Sequence, residues 1–152
     1  MKGFSLNTDQ IIDLLEITPP FLMIDYIKKI KPGEMAHSVK KLSQDEWFFQ
    51  SHLKKDGVLP GVLQIEAMLQ TLVLTLYTME GHKGKLSYVN SINTKLISKV
   101  SPGDQLDIYA DLLSCKRGIS KGIAVGKVND KKVCQGEFTF LSPHLMPLPT
   151  VK

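Results

Sequence analysis

One stretch of the chain gathers His52, then Pro60-Gly61, then Glu66 and Gln70. A neutral imidazole takes up a proton near pH 7, so His52 suits a general base. A carboxyl that burial keeps protonated suits a general acid, and Glu66 lies among apolar residues. Backbone N–H groups at a helix start, as at Gly61, stabilise developing negative charge. These are the parts of acid–base catalysis.

The element that must position them runs from Leu59 to Gly81. Pro60-Gly61 opens it, Gly81 closes it, and apolar residues recur on nearly every face between. The pattern predicts one buried helix over residues 61–80, about 30 Å long at ~1.5 Å per residue. One turn from Glu66 lie Val62, Leu63, Leu69 and Gln70. A carboxylate there either finds a partner or holds its proton, unless it sits on a thin exposed strip near the helix start, where the dipole favours it. His52 stands apart from His37, His82 and His144 by its company: Phe48-Phe49 before it, the Pro-Gly helix start after it. The other three read as structural or exposed.

Length and composition bound the rest. A chain of 152 residues with 43% hydrophobic and 22% charged residues reads as one globular domain with a real core. The N-terminus shows no basic region followed by an apolar one, so no signal peptide is expected. Gln64, Glu66 and Gln70 make the long helix a poor membrane span. A net charge of +4 is too diffuse to indicate nucleic acid. Cys115 and Cys134 lack metal-ligand spacing and read as free thiols of a reducing cytoplasm. No metal or cofactor is called for.

Asn7 to Gln10 supplies a cap and an acidic first turn, predicting a short helix over residues 8–16. Residues 21–31 read as a strand, Pro32-Gly33 as a turn and 34–42 as the hairpin partner. Ser43 to Phe49 reads as a helical turn and 51–59 as loop. Strands follow near 86–98, 104–116, 119–129 and 132–141, with an irregular tail over 142–152. The expected class is α+β, an antiparallel sheet curled around one long helix.

The stretch Trp47-Phe48-Phe49-Gln50-Ser51-His52, followed by Val58-Leu59-Pro60-Gly61-Val62-Leu63-Gln64-Ile65-Glu66-Ala67 and Gln70, resembles the signature of FabZ-type β-hydroxyacyl-acyl-carrier-protein dehydratases. Residues 11–15 and 20–25, and the turn Val100-Ser101-Pro102-Gly103-Asp104, are similar to other blocks of that family. The resemblance covers roughly residues 10–141 and implies the hotdog fold. It implies that His52 and Glu66 are catalytic and come from different subunits of a dimer, alone or as a trimer of dimers. Gly61 would direct its N–H at the thioester carbonyl, with Gln70 beside the carboxylate. Acid–base chemistry fits: the base removes the proton next to the carbonyl and the acid protonates the departing hydroxyl. Phe48, Phe49, Ile65, Met68 and Leu69 are candidates to line an acyl tunnel, or plain core. Where the family follows its histidine with Phe-Pro-Gly, this chain has Leu53-Lys54-Lys55, which removes an apolar brace. The family's His-Arg-Tyr is here Ile17-Thr18-Pro19, at the tunnel mouth. The basic run before the Pro-Gly-Asp turn keeps Lys95, so docking of the acyl carrier protein would draw on Lys54, Lys55 and Lys99. A hotdog thioesterase and a non-catalytic acyl-thioester-binding protein remain the alternatives.

Overall fold

The computed structural model describes residues 2–150. The sheet holds seven antiparallel strands: β1 (Phe4–Leu6), β2 (Tyr26–Lys31), β3 (Met35–Lys41), β4 (Tyr88–Leu96), β5 (Gln105–Lys116), β6 (Ile119–Val128) and β7 (Lys131–Leu141). Their order is β1-β2-β3-β5-β6-β7-β4. Three helices accompany them: α1 (Thr8–Leu15), α2 (Trp47–Ser51) and α3 (Gly61–Tyr77). The sheet curls around α3, as in the hotdog fold.

Composition explains why α3 takes the centre. Twelve of its seventeen residues are buried, including Met68, Leu72 and Leu74 at 0% exposure. Gly122 on β6 lets the sheet approach closely: a Cβ there would lie 2.6 Å from Leu72 Cδ1. Thr71 and Thr75 satisfy their hydroxyls on backbone carbonyls of the same helix, so they add no unpaired polar group. α1 closes one side of α3 with Ile11 and Leu15. Asn7 and Gln10 form a full capping box at its start.

Several boundaries differ from the sequence reading. Residues 21–25 are not strand. Phe21 and Leu22 donate their N–H groups to the Thr18 carbonyl, and Met23 donates to the Gln70 side chain. These groups are satisfied off the sheet, and Leu22, Met23 and Ile24 serve as core. α3 ends at Tyr77, where Thr78 caps it, and Gly81 lies four residues beyond in a left-handed turn. β4 is shorter than residues 86–98 because Ile97 and Ser98 both donate to the Val133 carbonyl. Ser43 heads a turn ahead of α2, which starts at Trp47. The tail includes a short 3₁₀ turn, Pro143–Leu145. β1 went unpredicted, being only three residues long.

Candidate active site

The Pro-Gly-Asp turn between β4 and β5 is a clamp at the site's base. Gly103 donates to the Leu42 carbonyl at 2.7 Å and Leu42 donates to Asp104 at 3.0 Å, tying the end of β3. Leu59 donates to the Val100 carbonyl at 2.8 Å, tying the loop that leads into α3. Asp104 closes the turn by accepting from the Ser101 N–H at 2.8 Å. The start of α3 is therefore fixed from outside the helix.

At that start Gly61 takes the first helical position, where N–H groups have no partner within the helix. The end of β4 drapes over it, and a Cβ on Gly61 would run into Leu96 Cδ1. Glycine leaves room here for the Leu96 side chain, and its backbone is ordinary helix.

Glu66 lies one turn further along α3 and is half-buried. Its partner is Gln70, whose Nε2 donates to Glu66 Oε1 at 2.9 Å. The same Nε2 donates to the Phe21 carbonyl at 3.1 Å, while Gln70 Oε1 accepts the Met23 N–H at 2.8 Å. Gln70 is buried and fully used. It fixes one carboxylate oxygen, and Glu66 borders a cavity of about 150 Å³ between α1, α3, β4 and β7. Leu15, Ile17, Leu69, Val73, Val89 and Phe140 form its apolar wall. Tyr77 and Ser87 stand at its far end.

His52 caps the C-terminus of α2, and its N–H returns to the Phe48 carbonyl at 3.0 Å. Residues 53–57 close a turn on themselves, with Asp56 and Gly57 donating to the Leu53 carbonyl. His52 Nδ1 lies 3.4 Å from the Val58 carbonyl. A carbonyl only accepts, so in this contact Nδ1 is the donor, and in the neutral imidazole that tautomer leaves the lone pair on Nε2.

The start of α2 is held by a side chain that sequence reasoning missed. Lys40, on β3, is 8% exposed, and its Nζ lies 2.9 Å from Glu46 and 3.2 Å from Asp25. Glu46 is the residue that opens α2. A lysine in a strand reads as solvated surface, so only the fold reveals it.

Among the remaining site candidates, Leu69 lines the cavity and Ile65 is half-buried beside the core. Phe48, Phe49 and Met68 are buried in the core, where the two phenyl rings pack edge to face at 4.8 Å. Lys54, Lys55, Lys95 and Lys99 are exposed. Within one copy the structure joins Glu66 to Gln70, whereas His52 is not among the residues lining the Glu66 cavity.

Residues 17–137 match the FabA-like domain family. The chain is 38% identical over 141 residues to the 3-hydroxyacyl-[acyl-carrier-protein] dehydratase FabZ of Syntrophomonas wolfei, covering 92% of this chain and 98% of that one. The chain belongs to the FabZ-type dehydratase family. The FabZ of Enterococcus faecalis is also 38% identical, over 86% of this chain and 96% of its own length. Among solved structures, the dehydratase heterocomplex ApeI:P of Xenorhabdus doucetiae shares the fold at TM-score 0.69 and 17% identity, covering 88% of this chain and 90% of that one. Cj0977, a virulence protein of Campylobacter jejuni, shares it at TM-score 0.69 and 15% identity, over 87% and 86% of the two chains. Among the described residues no helix is long and apolar enough to cross a membrane.

Proposed function

We propose that a dimer of this chain dehydrates a (3R)-hydroxyacyl thioester, carried on acyl carrier protein, to the trans-2-enoyl thioester in cytoplasmic fatty-acid synthesis. The observation that carries this reading is Glu66, held by Gln70 at a largely apolar cavity between α1, α3, β4 and β7. His52 Nε2 removes the proton next to the thioester carbonyl. The C–H electron pair forms the new double bond while the Glu66 carboxyl protonates the hydroxyl, which leaves as water. The Gly61 N–H steadies the charge that gathers on the thioester oxygen.

The second copy supplies the missing half of each site. His52 is not among the residues lining its own chain's Glu66 cavity, which supports a reacting pair drawn from two subunits. β4 supports the pairing. It is a sheet edge with Tyr88, Val89, Ile92 and Leu96 exposed, and Val62 is 70% exposed on the adjoining first turn of α3. An unpaired apolar edge is a liability that a second copy covers. The exposed Lys54, Lys55, Lys95 and Lys99 offer an acidic carrier protein its docking charges.

The test is to incubate the protein with a short (3R)-hydroxyacyl-carrier-protein thioester and follow enoyl formation by absorbance and mass. His52→Ala and Glu66→Gln are each expected to abolish water loss while the fold is kept. Full activity in either variant, or thiol release as the main reaction, overturns the assignment.

A further inference from the structure

The far end of the Glu66 cavity is not apolar. Tyr77 and Ser87 line it, and Ser142 stands directly behind Ser87, with Ser87 Oγ 2.6 Å from Ser142 Oγ. Tyr77 Oη accepts the Ser87 N–H at 2.9 Å. Its own proton has only the Ser87 carbonyl at 3.5 Å, well outside the usual 2.5–3.0 Å range for O–H···O. Of the two serine hydroxyls, one donates to the other, which leaves the second proton to point elsewhere. Three hydroxyls thus share one short O–H···O bond, and at the cavity the Tyr77 proton lacks a short partner. A tunnel meant only for a hydrocarbon terminus would end more cheaply in phenylalanine and alanine, since a polar group beside buried hydrocarbon costs free energy unless bonded.

Resting on the dehydratase reading, we infer that this cavity selects acyl chains bearing an uncharged hydrogen-bond-accepting oxygen, a hydroxyl, keto or ether group, in their distal half. Tyr77 and Ser87 are the specificity-determining residues. The oxygen is uncharged because, among the described residues, no Lys, Arg or His lines the cavity. A terminal carboxylate would be desolvated there with no cation to receive it. The position follows from the helix. Glu66 and Tyr77 share one face of α3 eleven residues apart, about 16 Å at ~1.5 Å per residue. An extended chain advances ~1.2 Å per bond, so the oxygen belongs at most about fourteen bonds beyond the reacting carbons.

The experiment compares paired (3R)-hydroxyacyl-carrier-protein thioesters of about eight to about fourteen carbons. One member of each pair is unsubstituted, and the other carries a hydroxyl or keto group at or next to the chain end. The wild type is expected to favour the oxygenated member by about tenfold in kcat/KM at its best length, the worth of one to two hydrogen bonds. In Ser87→Ala and in Tyr77→Phe the ratio of the two kcat/KM values is expected to fall toward one, whatever happens to the absolute rates. That ratio is unmoved by partial unfolding, which lowers both members alike. Turnover of unsubstituted chains at least as fast at every length, or a ratio unchanged in both variants, overturns the inference and leaves the dehydratase standing. Failure of every thioester to lose water overturns the dehydratase reading and this inference with it.

Discussion

Replacing Lys40 by methionine tests how the chain holds its histidine. Methionine keeps the buried stem and removes the cation between Glu46 and Asp25. Stranding one member of a fully buried ion pair costs about 3–5 kcal/mol, and breaking an exposed one costs less than about 1 kcal/mol. Here the lysine side chain is 10% exposed while the Glu46 and Asp25 side chains are 21% and 36% exposed, so water reaches the acids but not the cation. Asp25 also keeps the Lys41 N–H at 2.7 Å. The loss should therefore be about 2 kcal/mol, or a fall in Tm of about 4–8 °C for a chain of this size. The larger consequence is kinetic. α2 has five residues and cannot persist unaided. With Glu46 released, the helix start moves and carries His52 at its other end. A misplacement of about 1 Å at a reacting group costs up to about a hundredfold in rate, so kcat should fall by one to two orders of magnitude while KM changes little. Lys40→Arg, which keeps the charge, should recover part of both losses. Thermal melts, steady-state kinetics and a double-mutant cycle with Glu46→Gln supply the measurements. A kcat unchanged from wild type in Lys40→Met, or strict additivity in the cycle, would refute the argument.

Three further outcomes follow from the packing. Gly122→Ala should destabilise the protein by about 3 kcal/mol in urea unfolding, because the new methyl meets Leu72 and the Asp111 carbonyl, the latter at 2.9 Å, and backbone cannot step aside. Gln70→Leu should cost about 2–4 kcal/mol, since it strands the Met23 N–H and the Phe21 carbonyl in the interior. It should also lower kcat by freeing Glu66, so a wild-type kcat in that variant would count against the role given to the amide. Burial pushes the Cys134 thiol up to about 11, outweighing the opposing Gly126 backbone contact. At pH 8 it is almost entirely thiol and shielded, so iodoacetamide should label half-buried Cys115 alone in the folded protein. Cys134 should react only after denaturation, which intact-mass spectrometry reads directly.

The parts of this molecule that local chemistry dictates were legible in the sequence. Pro60-Gly61 and an apolar circumference define the start and burial of α3, Asn7 with Gln10 caps α1, and Ser101 to Asp104 makes its turn. What depends on register was not. Leu22-Met23-Ile24 reads as a buried strand, because an apolar run does not show that its N–H will be met by Gln70 from a distant helix. The sequence marks β4 as a strand but not its neighbour, so the wall formed by Ser87, Val89 and Phe140 stayed hidden. Glu66 and His52 stood out by residue type and spacing. Lys40, Tyr77 and Ser87 did not, because their meaning comes from what the fold places around them.

The position of β4 at the far edge of the sheet has a consequence in time. β4 is made directly after α3, but its partner is β7, the last strand of the chain. Val89 pairs with Phe140, and the two cavity-wall residues are fifty-one positions apart. During synthesis β1, β2 and β3 are able to associate early, while β4 waits for nearly the whole remaining chain to emerge. Until then it carries Tyr88, Ile92 and Leu96 on a strand with both edges open. Distant pairings of this kind fold slowly, and the Glu66 cavity is among the last features to close. A chain stopped before Lys131 would keep His52, Gly61 and Glu66 yet have no wall to hold a substrate and no cover for its stickiest strand.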